Sequence, residues 1–220
     1  MENSKIFNRI IYAIDDIQLS VDDIITQCLT FKKYLYAIKF HILYHSLGIS
    51  NLIHISNRTG IPLFLDLKLY DTPETVIHTI YTFPDEVKFL TITSANNNVS
   101  SITAAASAAR VKNIQLFVVG KLTSADQYDL RAFYDIIKIV NDNKLGLVCS
   151  GQLLSIAKAY DIPTITPGVA LPFFLKHNSY NDQKQKSTDL IDLINQGTYP
   201  VLGRSMPTNP KQFEELIVYA

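Results

Sequence analysis

Short apolar runs recur along the chain at similar intervals, and each ends in a polar turn followed by a longer segment of mixed polarity. The runs at 10–14, 36–40, 63–67, 89–93, 114–119, 145–149, 163–166 and 199–202 predict eight strands, with helical stretches between most of them. Residues 20–34 read as an amphipathic helix in which Ser20 is the N-cap and Asp22 and Asp23 occupy the first turn, where the helix dipole favours anions. Thr72 caps a second helix, with Pro73 at the first helical position, where its missing N–H costs nothing. The Ala-rich stretch 101–110 is helix-prone. Residues 170–188 are polar, with Pro172, Asn178, Ser179 and Asn181, and read as a long loop of the kind that often carries function in a compact domain.

Near-continuous apolar strands alternating with helices indicate a parallel sheet covered by helices. Eight of them in 220 residues predict an α/β fold of the (β/α)8 barrel type, a single domain over 1–220. An open doubly wound sheet is the alternative. It favours a glycine-rich turn after the first strand, whereas the residues there are Asp15, Asp16, Ile17 and Gln18.

Charge narrows the partners. Lys and Arg total 20 and Asp and Glu total 20, so no global field attracts nucleic acid or an anionic membrane, and an anionic ligand must be held by a local site. A small-molecule partner is expected. No apolar run approaches the ~20 residues of a membrane span, and the first one meets Asp15 and Asp16 too early for a signal peptide. Cys28 and Cys149 show no CxxC or Cys/His spacing, which argues against a zinc site, a redox pair or a secreted disulfide framework and suits a cytoplasmic protein.

The densest chemistry follows the third apolar run, in Asp66-Leu67-Lys68-Leu69-Tyr70-Asp71-Thr72-Pro73-Glu74-Thr75. Residues i and i+2 of a strand share a face, so Asp66 and Lys68 project together, with Asp71 in the turn before the helix. A solvated strand end with a surface ion pair worth under ~1 kcal/mol is the plain alternative. Against it, the charges end a strongly apolar strand at the C-terminal side of a barrel, where active sites of this architecture lie. Asp15 ends the first strand, and Lys39 sits in the second. Lys39 either snorkels to solvent or joins an alternating array with Asp15, Asp66, Lys68 and Asp71. Carboxylates on both sides of Lys68 would hold it as an ammonium, a proton donor facing developing negative charge. After the last two strands, Thr166-Pro167-Gly168-Val169 and Val201-Leu202-Gly203-Arg204-Ser205 supply glycines and an Arg fork suited to phosphate; the alternative is a tight turn and a rim cap. Ser205 is expected to expose its hydroxyl and lacks an evident His partner, so it is not read as a nucleophile.

Together these residues resemble the orotidine 5′-phosphate decarboxylase family. Its Asp-x-Lys-x-x-Asp signature, continuing into a Pro-x-Thr helix start, is matched by Asp66, Lys68, Asp71, Pro73 and Thr75. Ala13-Ile14-Asp15, Ala37-Ile38-Lys39, Lys121-Leu122-Thr123-Ser124, Asp182-Gln183 and 201–205 look like further family segments, so the resemblance spans nearly the whole chain. The chain departs from the family at the end of the fourth strand, 91–98, where a His followed by small residues and Gly is usual, at Ala170, where many bacterial members have Arg, and at Thr72, usually apolar.

The resemblance implies conversion of orotidine 5′-monophosphate to UMP and CO2 in de novo pyrimidine biosynthesis, with no metal or organic cofactor. Asp66 would face the substrate carboxylate and Lys68 would protonate C6, with Asp71 and Lys39 completing the catalytic array. Asp15 and Lys39 would hold the ribose, Thr123 the pyrimidine edge, and Pro167, Gln183, Gly203 and Arg204 the phosphate end. Asp71 and Thr75 would reach the neighbouring subunit's site, so a homodimer with shared sites is implied. Two alternatives stand beside this: a divergent nucleotide-binding barrel with little or no turnover, and a related Mg-dependent sugar-phosphate decarboxylase.

Overall fold

The computed structural model describes residues 8–95, 98–120, 130–169, 171 and 190–218. Its eight strands are β1 (Ile10–Ile14), β2 (Leu35–Phe40), β3 (Leu63–Leu69), β4 (Val87–Thr93), β5 (Gln115–Val119), β6 (Gly146–Val148), β7 (Thr164–Thr166) and β8 (Tyr199–Leu202). They follow one another in chain order around a closed barrel, and the registered neighbours run parallel. The described helices are α1 (Val21–Phe31), α2 (Leu43–Thr59), α3 (Pro73–Thr82), α4 (Val99–Val111), α5 (Leu130–Asp142), α6 (Leu154–Ala159), α7 (Leu190–Asn195) and α8 (Lys211–Val218). This is the (β/α)8 architecture that the alternation of apolar runs predicts. No helix among the described residues is long and apolar enough to cross a membrane.

By its contacts the chain forms two compact units, residues 1–63 with 166–220, and residues 64–165. In the first, β1 lies between β2 and β8, with Ala13 opposite Lys39 and Tyr12 opposite Leu202. Ile10, Ile11, Ile14, Leu35, Ile38 and Phe40 are buried because both faces of these strands are covered. Helix α1 starts where the sequence predicts, in a capping box: Ser20 Oγ accepts the Asp23 N–H at 3.1 Å, and the Asp23 carboxylate accepts the Ser20 N–H at 3.0 Å. It ends at Phe31 rather than Tyr34, and Lys32–Tyr34 tighten into a 3-10 turn. Phe213 of α8 is buried there against the rings of Phe31 and Tyr34. Helix α2 closes on Gly60 at φ +67°, a left-handed cap whose N–H reaches Ser56 C=O at 2.7 Å.

In the second unit, Phe64, Phe89 and Phe117 from three successive strands meet ring to ring at 6.3–6.4 Å. Gly146 on β6 makes room for them, since a Cβ there would run into the Phe117 ring. Cys28 and Cys149 are both buried and free. Burial pushes each thiol from an ordinary 9.0 up to about 12.

Candidate active site

Strand β3 carries four buried residues, Leu63 to Asp66, and then three half-buried ones, so its charged end emerges from an apolar run. Asp66 is only 8% exposed, and Lys68 Nζ lies 3.0 Å from its Oδ1. A carboxylate this buried is not the solvated surface partner of the plain alternative; without a cation and hydrogen bonds its desolvation would cost several kcal/mol. A second donor comes from β4, where Thr91 Oγ1 donates to the same Oδ1 at 2.9 Å. The same hydroxyl accepts the Lys68 backbone N–H at 2.8 Å. Lys68 sits at φ +49°, a left-handed conformation that is uncommon for a residue with a side chain and costs of order 1 kcal/mol.

Strand β3 runs on to Leu69, two residues beyond the predicted end, and so takes in Lys68. Asp71 and Thr75 are exposed. The Asp71 carboxylate accepts the Thr72 N–H at 2.7 Å, while Ser101 Oγ of α4 donates to the Asp71 carbonyl at 2.7 Å. Among the described residues, Lys68 ion-pairs with Asp66 and not with Asp71. Of the two carboxylates expected beside Lys68, Asp66 is the one that pairs with it in this chain, and the Asp71 carboxylate goes to the helix start. Thr72 occupies the N-cap position with Pro73 behind it, but its hydroxyl contacts Thr75 Oγ1 at 3.0 Å instead of a helix N–H.

The remaining described candidates belong to the other unit. Lys39 is half-buried on β2, and Asp15 follows β1 and is exposed. Gly203 passes beside Asp15: a Cβ on it would lie 3.6 Å from Ala13 and 3.9 Å from Asp15 Oδ2, ordinary contact distances. Arg204 is exposed in the turn closed by the Met206 N–H on the Gly203 carbonyl at 2.9 Å. After β7 the chain passes Pro167 and turns at Gly168, φ +75°. Ser205 differs from its predicted exposure: it is half-buried, and its hydroxyl donates to Val169 C=O at 2.7 Å, so the loop after β8 is tied to the loop after β7. A buried contact between the Thr166 and Thr198 hydroxyls at 3.0 Å joins the last residue of β7 to the residue before β8.

Thr123, Gln183 and Ala170 lie outside the described residues, as does nearly all of the loop read at 170–188. Among the described residues no group of three or more His, Cys, Asp or Glu side chains is placed to hold a metal ion. Sequence reasoning did not single out Thr91 or Ser101. Thr91 had one signal, a hydroxyl between the apolar Leu90 and Ile92.

The sequence model of the Orotidine 5'-phosphate decarboxylase / HUMPS family matches residues 8–215. An orotidine 5'-phosphate decarboxylase of Wigglesworthia glossinidia brevipalpis is 29% identical over 185 residues, 76% of this chain and 78% of its own length. One of Wolbachia pipientis subsp. Culex pipiens is 32% identical over 179 residues, 73% and 76% of the two chains. The crystal structure of orotidine 5'-monophosphate decarboxylase from Methanocaldococcus jannaschii, complexed with the inhibitor BMP, matches with a TM-score of 0.74 at 18% identity. That match covers 96% of this chain and 98% of the other, and agrees in fold with the eight-stranded barrel.

Proposed function

The chain belongs to the Orotidine 5'-phosphate decarboxylase / HUMPS family, and on that premise we propose that it converts orotidine 5′-monophosphate to UMP and CO2, a step of de novo pyrimidine biosynthesis. The observation that carries the reading is the buried Asp66 carboxylate with Lys68 Nζ at 3.0 Å, inside the Asp-x-Lys-x-x-Asp spacing.

In this mechanism the substrate carboxylate binds beside Asp66, and like-charge repulsion raises its ground state. The C6–carboxylate bond breaks, CO2 leaves, and the electron pair stays on C6. The Lys68 ammonium stabilises that charge as it develops and then gives C6 its proton, becoming a neutral amine that regains a proton from water. The step needs no metal and no organic cofactor.

Asp15 and Lys39 hold the ribose hydroxyls in this reading, Thr123 the pyrimidine edge, and Pro167, Gln183, Gly203 and Arg204 the phosphate end. Phosphate binding, remote from the reacting carbon, supplies energy that is realised at the transition state. Asp71 and Thr75 are exposed, which suits a role in a second copy's site and so a homodimer with shared sites. We take residues 1–220 as one decarboxylase domain. The balanced charge and two free cysteines suit a cytoplasmic enzyme.

The test is a spectrophotometric assay of orotidine 5′-monophosphate turnover, with and without chelator. Loss of the orotate absorbance at equal rates in both arms is expected. A protein that binds UMP without releasing CO2, or whose turnover collapses with chelator, would overturn the assignment.

A further inference from the structure

We infer that Thr91 is a positioning residue for the decarboxylation, its hydroxyl setting both the Asp66 carboxylate and the backbone of Lys68; the inference rests on the roles given above to Asp66 and Lys68. Thr91 is fully buried between Leu90 and Ile92, which are buried as well. Its hydroxyl lies 2.8 Å from the Lys68 amide nitrogen and 2.9 Å from Asp66 Oδ1. An amide N–H can only donate, so the hydroxyl must accept from Lys68, and its single proton is left for the carboxylate. That same Oδ1 receives the Lys68 ammonium at 3.0 Å. The three residues therefore form a ring, running from the Lys68 amide through the Thr91 hydroxyl to Asp66 and back through the Lys68 ammonium.

Two consequences follow from that ring. Rotation of the carboxylate is limited, because one oxygen takes two donors from different directions. The left-handed backbone of Lys68 is held by its own amide, which fixes where the side chain departs from the strand. Both reacting groups are thus preorganised through one atom, and a displacement of about 1 Å in such an arrangement can cost about a hundredfold in rate. A threonine that merely filled space in β4 would not need the reacting residues as its hydrogen-bond partners.

The experiment compares Thr91→Val, which keeps the branched shape and removes the hydroxyl, with Thr91→Ser, which keeps the hydroxyl. Thr91→Val is expected to lose about a hundredfold in kcat with UMP affinity close to wild type and a lowered melting temperature, since two buried hydrogen bonds go with the hydroxyl, while Thr91→Ser recovers most of the rate. Exchange of the Lys68 amide hydrogen should be faster in Thr91→Val than in wild type or Thr91→Ser. A folded Thr91→Val protein with wild-type kcat, or a Thr91→Ser protein as slow as Thr91→Val, overturns the inference. If Thr91→Val does not fold, Thr91→Ser and Thr91→Ala make the same comparison, and equal rates overturn it. Lys68→Ala is assayed alongside. If it turned over like wild type, the site assignment itself would fall, whereas an inactive Lys68→Ala beside an unaffected Thr91→Val would remove Thr91 alone.

Discussion

Ser205 donates its hydroxyl to the Val169 carbonyl across 2.7 Å, a side-chain tie between the loops that follow β8 and β7. Replacing it with Ala removes one partly buried hydrogen bond, a net loss of about 1 kcal/mol. In a chain of this size that lowers the melting temperature by about 2–4 °C. The affinity for UMP should fall while that for uridine changes little, because the loops concerned are assigned to the phosphate. Calorimetric titration of both ligands checks this, and equal losses for the two would detach Ser205 from phosphate binding.

Arg204→Ala should act more strongly on the same comparison. A hydrogen-bonded guanidinium–phosphate contact contributes about 1.5–3 kcal/mol, roughly tenfold to 150-fold in affinity. Orotidine and uridine, lacking the phosphate, should bind the variant as they bind wild type. A nucleoside affinity that drops in step with the nucleotide's would show that Arg204 acts elsewhere.

Asp71 is exposed and its carboxylate rests on the Thr72 N–H, whereas Lys68 pairs with Asp66. The shared-site reading therefore makes a mixing prediction. Lys68→Ala and Asp71→Ala proteins, each inactive alone, should regenerate some activity when mixed. A heterodimer holds one site with both residues intact and one lacking both. Differently tagged chains establish that subunits have exchanged. Verified heterodimers as inactive as their parents would place Asp71 in its own chain's chemistry.

Four acidic groups are pushed up to about 12. In Cys28 and Cys149 the cause is burial; in Tyr12 it is burial and then the negative charges of Cys28 and Asp16; in Tyr36 it is burial and then Tyr199. An acid whose pKa is raised by folding keeps its proton in the native state while the unfolded chain releases it. Stability from these groups is complete below about pH 9 and falls as pH rises from there toward 12. Each buried thiol adds a slope of up to about 1.4 kcal/mol per pH unit. Urea midpoints should be level from pH 7 to about 8.5 and decline above it. A midpoint that rises between pH 9 and 11 would contradict the burial of these groups.

How much of this was legible in the sequence depended on which force decided each feature. Strands β1 and β8 have their predicted bounds because apolar runs ending in Asp15 and Gly203 leave little choice. Strand β3 outran its apolar stretch by two residues, and the Lys68 N–H there is taken by the Thr91 hydroxyl, a partner that no local pattern encodes. Helix α1 gave up its last turn to a 3-10 segment that carries Tyr34 into contact with Phe213, 179 positions away in sequence, and no local pattern encodes that contact. The Asp66–Lys68 pair followed from strand periodicity alone. Thr91 did not, because a threonine in a strand is ordinary on propensity grounds and its partners lie 23 and 25 residues away. Ser205 was recognised as polar, but its acceptor is a backbone carbonyl, which has no signature in side-chain chemistry.

Burial of both native thiols also makes the folded protein a quiet background for thiol labelling. A cysteine introduced at an exposed position such as Asn57 on α2 would be the reactive one, with no native cysteine removed beforehand. A fluorophore or spin label placed there would report from one defined point on each chain. In an assembled pair, the spacing between two such labels could then be read with the wild-type core and the Asp66–Lys68–Thr91 ring intact.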